Sequence, residues 1–207
     1  MAGRFISLEG GEGAGKSTQL RRLAQALRNR GHDVIETREP GGSPGAEAIR
    51  ALLLEGAGDR WTPQAEALLF AAARADHVAR TIRPALDRGA WVLSDRFLDS
   101  SLAYQGVAGG LGMDAIRALH AFGCAGLLPD RTILLRLSGD EAAERAAARD
   151  GEGTDRIGGR GAAFHAEVAT AFAALAAAEP DRFRVAEAGG DAEQVTARIL
   201  AAIGDLL

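Results

Sequence analysis

Residues Gly10-Gly11-Glu12-Gly13-Ala14-Gly15-Lys16-Ser17 match the pattern G-x-x-x-x-G-K-[ST], between an apolar run at Arg4–Glu9 and an amphipathic one at Lys16–Arg30. The pattern requires a strand that ends, a loop that folds back and a helix that begins. Its glycines let backbone N–H groups turn inward around a β-phosphate, and the helix N-terminus adds its partial positive charge. Lys16 is then placed to reach the β- and γ-phosphates and Ser17 to ligate Mg²⁺, with Thr18 next in the first helical turn. Lys16 is also the sole lysine; the other 23 of the 24 basic residues are arginine. An ammonium is a compact point charge that arginine's broad fork does not replace, so this position carries a requirement of its own. The chain reads as a nucleoside triphosphate-binding α/β protein.

Short apolar runs alternate with longer stretches of helical period, which predicts a parallel sheet flanked by helices. Strands are expected near Arg4–Glu9, Asp33–Thr37, Ala90–Asp95, Arg131–Leu137 and Arg182–Ala186. Helices are expected over Lys16–Arg30, Ala46–Leu54, Pro63–Arg88 with a bend at Pro84, Met113–Phe122, Asp140–Arg149, Ala162–Ala178 and Ala192–Ile203. Thr62 before Pro63 is a helix-start signal. The 207 residues are a length for one domain, residues 1–207, and the glycine-rich segment at about 150–161 reads as a lid. A net charge of −4 argues against nucleic acid as partner. Cys124, the single cysteine, excludes an internal disulfide. No apolar run of about 18 residues and no leader pattern is present, so the expectation is a cytoplasmic protein without membrane contact.

Absences narrow the kind of nucleotide protein. A GTPase needs an N-K-x-D reader, but the only asparagine is Asn29 and the only lysine is in the loop. Leu137-Ser138-Gly139-Asp140-Glu141 shares just three residues with the L-S-G-G-Q signature of transport ATPases. Trp91-Val92-Leu93-Ser94-Asp95-Arg96 reads as a buried strand with an acid and a guanidinium at its tip. Asp95 suits a metal-bound water, while Arg96 suits a second anion, because arginine grips phosphate bidentately. Thr37-Arg38-Glu39-Pro40-Gly41-Gly42 falls at the same carboxyl edge of the sheet, where ligands of open α/β sheets bind. Phe70 and Arg74, four apart on a helix, offer an aromatic face and a donor fork to a nucleobase. Asp99-Ser100-Ser101-Leu102-Ala103-Tyr104-Gln105-Gly106 adds hydroxyl and amide groups near Arg96. Taken singly, each of these has a bland reading as core, surface or loop.

Together, ISLEGGEGAGKSTQ, TREPGG, AEALLFAAARADH, SDRFLDSSLAYQG, LLPDRTILLRL and ERAAARDGEGTDRI resemble the thymidylate kinase family across essentially the whole chain. The resemblance implies a P-loop nucleoside monophosphate kinase fold with a five-stranded parallel sheet, ATP as co-substrate with Mg²⁺, dTMP as acceptor, and a homodimer. It implies that Phe70 stacks on thymine, that Arg74 hydrogen-bonds its carbonyl edge, and that Ser101 and Gln105 complete the pocket. Arg96 and Arg50 would hold the acceptor phosphate, with the Arg38-Glu39-Pro40 turn shaping its approach. Glu9 would lie near acceptor sugar and metal. The P-loop carries no arginine, so Arg145, Arg149 and Arg156 resemble the arrangement in which a lid delivers one. Phe97 and Gly158-Gly159-Arg160-Gly161 depart from the family pattern, in which Tyr or His follows the Asp-Arg pair and an acidic stretch follows the lid. The implied reaction is in-line transfer of the γ-phosphoryl group to dTMP, giving dTDP and ADP. Another small-acceptor kinase and a nucleotide-dependent ATPase switch are the alternatives.

Overall fold

The computed structural model describes residues 3–137 and 155–207. Five strands, β1 Arg4–Glu9, β2 Val34–Arg38, β3 Trp91–Asp95, β4 Arg131–Arg136 and β5 Phe183–Glu187, form one parallel sheet in the order β2-β3-β1-β4-β5. Side chains alternate across each strand. Phe5 and Val92 therefore enter the core on one face, while Ile6, Leu8 and Leu93 enter the core on the other. Both faces are covered, which is why the inner strands β1, β3 and β4 are buried along most of their length.

Helix α1 (Lys16–Arg28) buries Leu20, Leu23, Ala24 and Leu27 at helical spacing. They join Val195 and Ile199 in the core beneath the last helix. Each fully buried leucine contributes roughly 1.5–3 kcal/mol, so this seam holds the loop before α1 at the tip of β1. The opposite face is covered by α2 (Pro44–Leu54), α3 (Pro63–His77), α4 (Arg83–Asp87), α5 (Leu98–Ser101), α6 (Met113–Cys124) and α7 (Ala162–Ala178), while α8 (Ala192–Ala202) lies beside α1. Thr62 caps α3 as expected, its hydroxyl accepting from the Ala65 N–H at 3.3 Å.

The bend expected at Pro84 is spread over the preceding turn, where Val78–Ile82 is π-helical. Proline has no N–H to donate and its ring crowds the carbonyl four residues back, and a wider turn relieves both. The sequence reading missed the helix after β3: α5 runs on into a second π-helical stretch, Leu102–Ala108. Its apolar signal is Leu98 and Leu102, one turn apart and both buried. The expected helix Asp140–Arg149 and the start of the lid segment, up to residue 154, lie outside the described residues.

The register brings Asp95 beside Leu8 of β1 and Arg38 of β2. Glu9, Arg38 and Asp95 thus end their strands at one edge of the sheet.

Candidate active site

The loop after β1 turns sharply at Gly10 (φ 137°), where an added Cβ would stand 2.5 Å from the Leu135 carbonyl oxygen. No other residue fits there without displacing β4. Lys16 is buried, and its Nζ donates to the carbonyls of Gly10 at 3.1 Å and Gly11 at 2.8 Å. Burial, joined by the positive charge of Arg96, pushes its pKa down to about 7. Ser17 and Thr18 are exposed at the start of α1. The Ser17 hydroxyl donates to Asp95 Oδ2 at 2.5 Å, so the two expected metal-side oxygens are already adjacent.

Arg96 adopts φ 71°, a left-handed conformation that costs a non-glycine residue on the order of 1–2 kcal/mol. Its N–H donates to the Leu8 carbonyl at 3.0 Å and its own carbonyl accepts from Ser94 Oγ at 2.7 Å, which hold the strained turn. The guanidinium donates to the Gly10 carbonyl at 3.2 Å, to Ser100 Oγ at 3.0 Å and to the Tyr104 hydroxyl at 3.3 Å. Arg96 and Lys16 therefore share one carbonyl oxygen, two cations held together at the P-loop. Glu9 is fully buried, with both oxygens accepting, one from the Phe97 N–H at 2.8 Å and one from Ser100 Oγ at 2.6 Å. Burial, then the charge of Asp99, pushes its pKa up to about 8.

Across the cleft, Arg74 donates through Nε to Glu39 Oε2 at 2.7 Å and through Nη2 to Ser101 Oγ at 2.8 Å and the Phe97 carbonyl at 3.2 Å. Its Nη1 has no partner among the described residues. Glu39 Oε1 meets His77 Nδ1 at 3.0 Å, and His77 Nε2 meets Thr37 Oγ1 at 2.7 Å. Burial opposes the charge of Glu39, but Arg74 and His77 outweigh it and hold the carboxyl below its ordinary range. Arg50 donates to the Pro40 carbonyl at 2.6 Å, and Arg38 grips Glu47 with both contacts at 3.1 Å. Burial and the charge of Arg38 push the pKa of Arg50 down, so an anion here would be welcome.

A cleft opens between these groups, the concave form usual for a small-ligand site. Phe70, Arg74, Ser101 and Gln105 line it together with Arg50, Arg96 and Glu12. The structure thus brings together the residues expected around an acceptor. Arg38 and the fully buried Glu9 do not line the cleft, and Arg145 and Arg149 lie outside the described residues. Arg156 departs from its expected place. Its guanidinium is buried, donating to Glu66 Oε2 at 2.6 Å, to the Leu53 carbonyl at 2.9 Å and to the Gly58 carbonyl at 3.2 Å. A guanidinium so fully bonded within the protein fastens the turn around Arg156 to α2 and α3.

Sequence reasoning missed Glu66 and His77, whereas Tyr104 belongs to the run expected to bring hydroxyl groups near Arg96 and does so. Glu66, Phe70, Arg74 and His77 recur every three to four residues along α3, so extending the Phe70–Arg74 face by one turn each way would have found both missed residues.

A family model described as Thymidylate kinase matches residues 8–199. A curated thymidylate kinase of Rhizorhabdus wittichii is 64% identical over 207 residues, covering 100% of both chains. One of Caulobacter vibrioides is 53% identical over 197 residues, 95% of this chain and 94% of the other. The crystal structure of thymidylate kinase from Ehrlichia chaffeensis superposes with a TM-score of 0.79 at 28% identity, covering 99% of each chain.

Proposed function

This chain belongs to the thymidylate kinase family, and from that premise we propose how its residues transfer the γ-phosphoryl group of ATP to dTMP, giving dTDP and ADP on the route to dTTP. The fold is that of P-loop nucleoside monophosphate kinases. The observation that carries the assignment of roles is the shared carbonyl of Gly10, which receives both Lys16 and Arg96. Two cations crowded against one oxygen are stabilised when anions arrive on both sides, a triphosphate on one and a monophosphate on the other.

Gly10–Thr18 cradle the triphosphate of ATP, with Lys16 on the β- and γ-oxygens. Arg96 and Arg50 hold the dTMP phosphate. Phe70 stacks on the base, and the open Nη1 of Arg74 reaches its carbonyl edge, with Ser101 and Gln105 beside it. Arg38, Glu39 and Pro40 form the wall on the sugar side, where Glu39 acts chiefly by fixing Arg74. Glu9 braces the Phe97–Ser100 turn that aims Arg96 and stands behind the metal-side oxygens. An ionised phosphate oxygen of dTMP is already nucleophilic, so no general base is needed, and positioning with charge compensation carries the rate. Arg149 or Arg145 supplies the lid charge, and Arg156 anchors it.

Ser17 and Asp95 offer two hard oxygen donors 2.5 Å apart, and no group of three or more metal-ligating side chains occurs among the described residues. That donor set fits Mg²⁺, which keeps water and phosphate ligands and takes few from protein. When bound, Mg²⁺ supplies charge neutralisation on the β- and γ-phosphates.

The proposal includes a single kinase domain over residues 1–207 and a homodimer. Phe122 on α6 is 94% exposed and Leu68 on α3 is 55% exposed, large apolar surfaces that a second copy would cover. A cytoplasmic setting is part of the same reading, supported by the single cysteine, Cys124; no helix among the described residues is long and apolar enough to cross a membrane.

A coupled assay of ADP release tests the reading. Release that requires dTMP, and exceeds that with a panel of other nucleotides and nucleosides, supports it. Equal release without an acceptor would point to an ATPase switch, and a preference for another acceptor to a different kinase.

A further inference from the structure

We propose that Glu66 is a specificity-determining positioning residue: it fixes which end of the Gln105 amide faces the acceptor base, and so favours a base with a ring N–H over one with a bare ring nitrogen. This inference rests on the acceptor-site reading above.

Glu66 lies on α3 one turn before Phe70, and both it and Gln105 are 3% exposed. Gln105 Nε2 donates to Glu66 Oε1 at 3.1 Å. The other oxygen of Glu66 accepts from Arg156 Nη2 and Arg160 Nη2, each at 2.6 Å. A carboxylate flanked by two guanidinium groups has no proton to give, so only the donor end of the amide can face it. The reverse orientation would set the Gln105 carbonyl oxygen against a carboxylate oxygen. That carbonyl oxygen has no partner among the described residues, and Gln105 lines the cleft.

A fixed acceptor at that position selects among pyrimidines. The N3–H of thymine or uracil can donate to it, whereas cytosine presents an unprotonated N3 and two acceptors would meet in a desolvated site. The open Nη1 of Arg74 reinforces the same preference, as a donor suited to O4 and unsuited to the cytosine amino group. Glu66 does not line this cleft and acts through Gln105. Arg156 and Arg160 hold it from 90 and 94 residues away, so the turn that closes the lid segment also keeps the reading amide in register.

Glu66→Gln keeps the size and offers an amide that can donate or accept, which makes both orientations of Gln105 available. With ATP saturating, kcat/KM is measured for dTMP and for dCMP. The dTMP to dCMP ratio is expected to fall at least about ten-fold, with KM for ATP unchanged. In a Gln105→Ala background the same substitution should leave the ratio where Gln105→Ala alone puts it. A ratio that holds while both constants fall together would overturn the proposal, leaving Glu66 as a clasp for the lid. If Glu66→Gln does not fold, Glu66→Asp keeps the charge for the arginines but is one methylene shorter; a falling ratio again supports the proposal and an unchanged one overturns it. Wild-type enzyme that used dCMP as well as dTMP would instead overturn the acceptor reading itself.

Discussion

Lys16 lies in the loop after β1 and Arg74 on α3, and the proposed roles put them on different substrates, so their losses should separate. Lys16→Ala is expected to abolish turnover while leaving far-UV circular dichroism and the unfolding midpoint near wild type, since among the described residues its ammonium bonds to two loop carbonyls alone. Arg74→Ala removes charge-assisted hydrogen bonds worth about 1.5–3 kcal/mol each and should lower kcat/KM for dTMP by about ten- to a hundred-fold, with little change in KM for ATP. Steady-state kinetics with each nucleotide varied in turn checks both. His120 supplies a pH effect. Burial, with the charge of Arg74 behind it, holds its pKa below the ordinary histidine value of about 6.5. The unfolded chain binds a proton near that pH which the folded chain resists. Stability from the neutral ring is therefore present above about pH 6.5 and lost as pH falls below it. Its Nε2 meets the Leu127 carbonyl at 2.6 Å, a contact a glutamine amide can keep. Urea unfolding at pH 7.5 and 5.5 should show a smaller loss in His120→Gln than in wild type.

Among the elements, α3 carries much of the proposed site on one stripe: Glu66 pairs with Arg156, Phe70 and Arg74 line the cleft, and His77 meets Glu39. Pro63 and Thr62 start it and the widened turn at Val78–Ile82 ends it, so the stripe keeps regular helical spacing over its working length. The lid divides differently. An arginine that meets the transferring phosphoryl group is worth roughly 10³–10⁵ in rate, so Arg149→Ala should lower kcat by about a thousand-fold with the unfolding midpoint unchanged. An unaltered kcat would move the role to Arg145. Arg156→Met is expected to do the reverse at the level of stability. It leaves the Glu66 carboxylate with one guanidinium fewer in a buried site, and scanning calorimetry should show a lowered midpoint.

For the molecule as a whole, the proposed dimer places Phe122 in an interface. Phe122→Asp should shift the mass measured by light scattering from that of two chains toward one; a monomeric wild type would remove the dimer from the reading. What could be read without the fold was whatever contiguous residues dictate. The strand-loop-helix at Arg4–Arg28 is local, because glycine spacing and the onset of an amphipathic helix set its backbone conformation. The five strands and the Phe70–Arg74 face follow from periodicity in the same way. The helix at Leu98–Ser101 escaped because Ser100 and Ser101 line the cleft and Asp99 accepts from Arg182, which blurs the apolar period. The fate of each arginine was also hidden. Arg96 and Arg156 are the same residue type in similarly polar runs, yet one is held beside the P-loop and the other is bonded to a carboxylate 90 residues away. The linear order of residues determines the phosphate cradle, the sheet and the kind of chemistry. Only the tertiary structure decides which carboxylate each guanidinium meets, because charge pairing depends on distance in space and the chain alone does not state it.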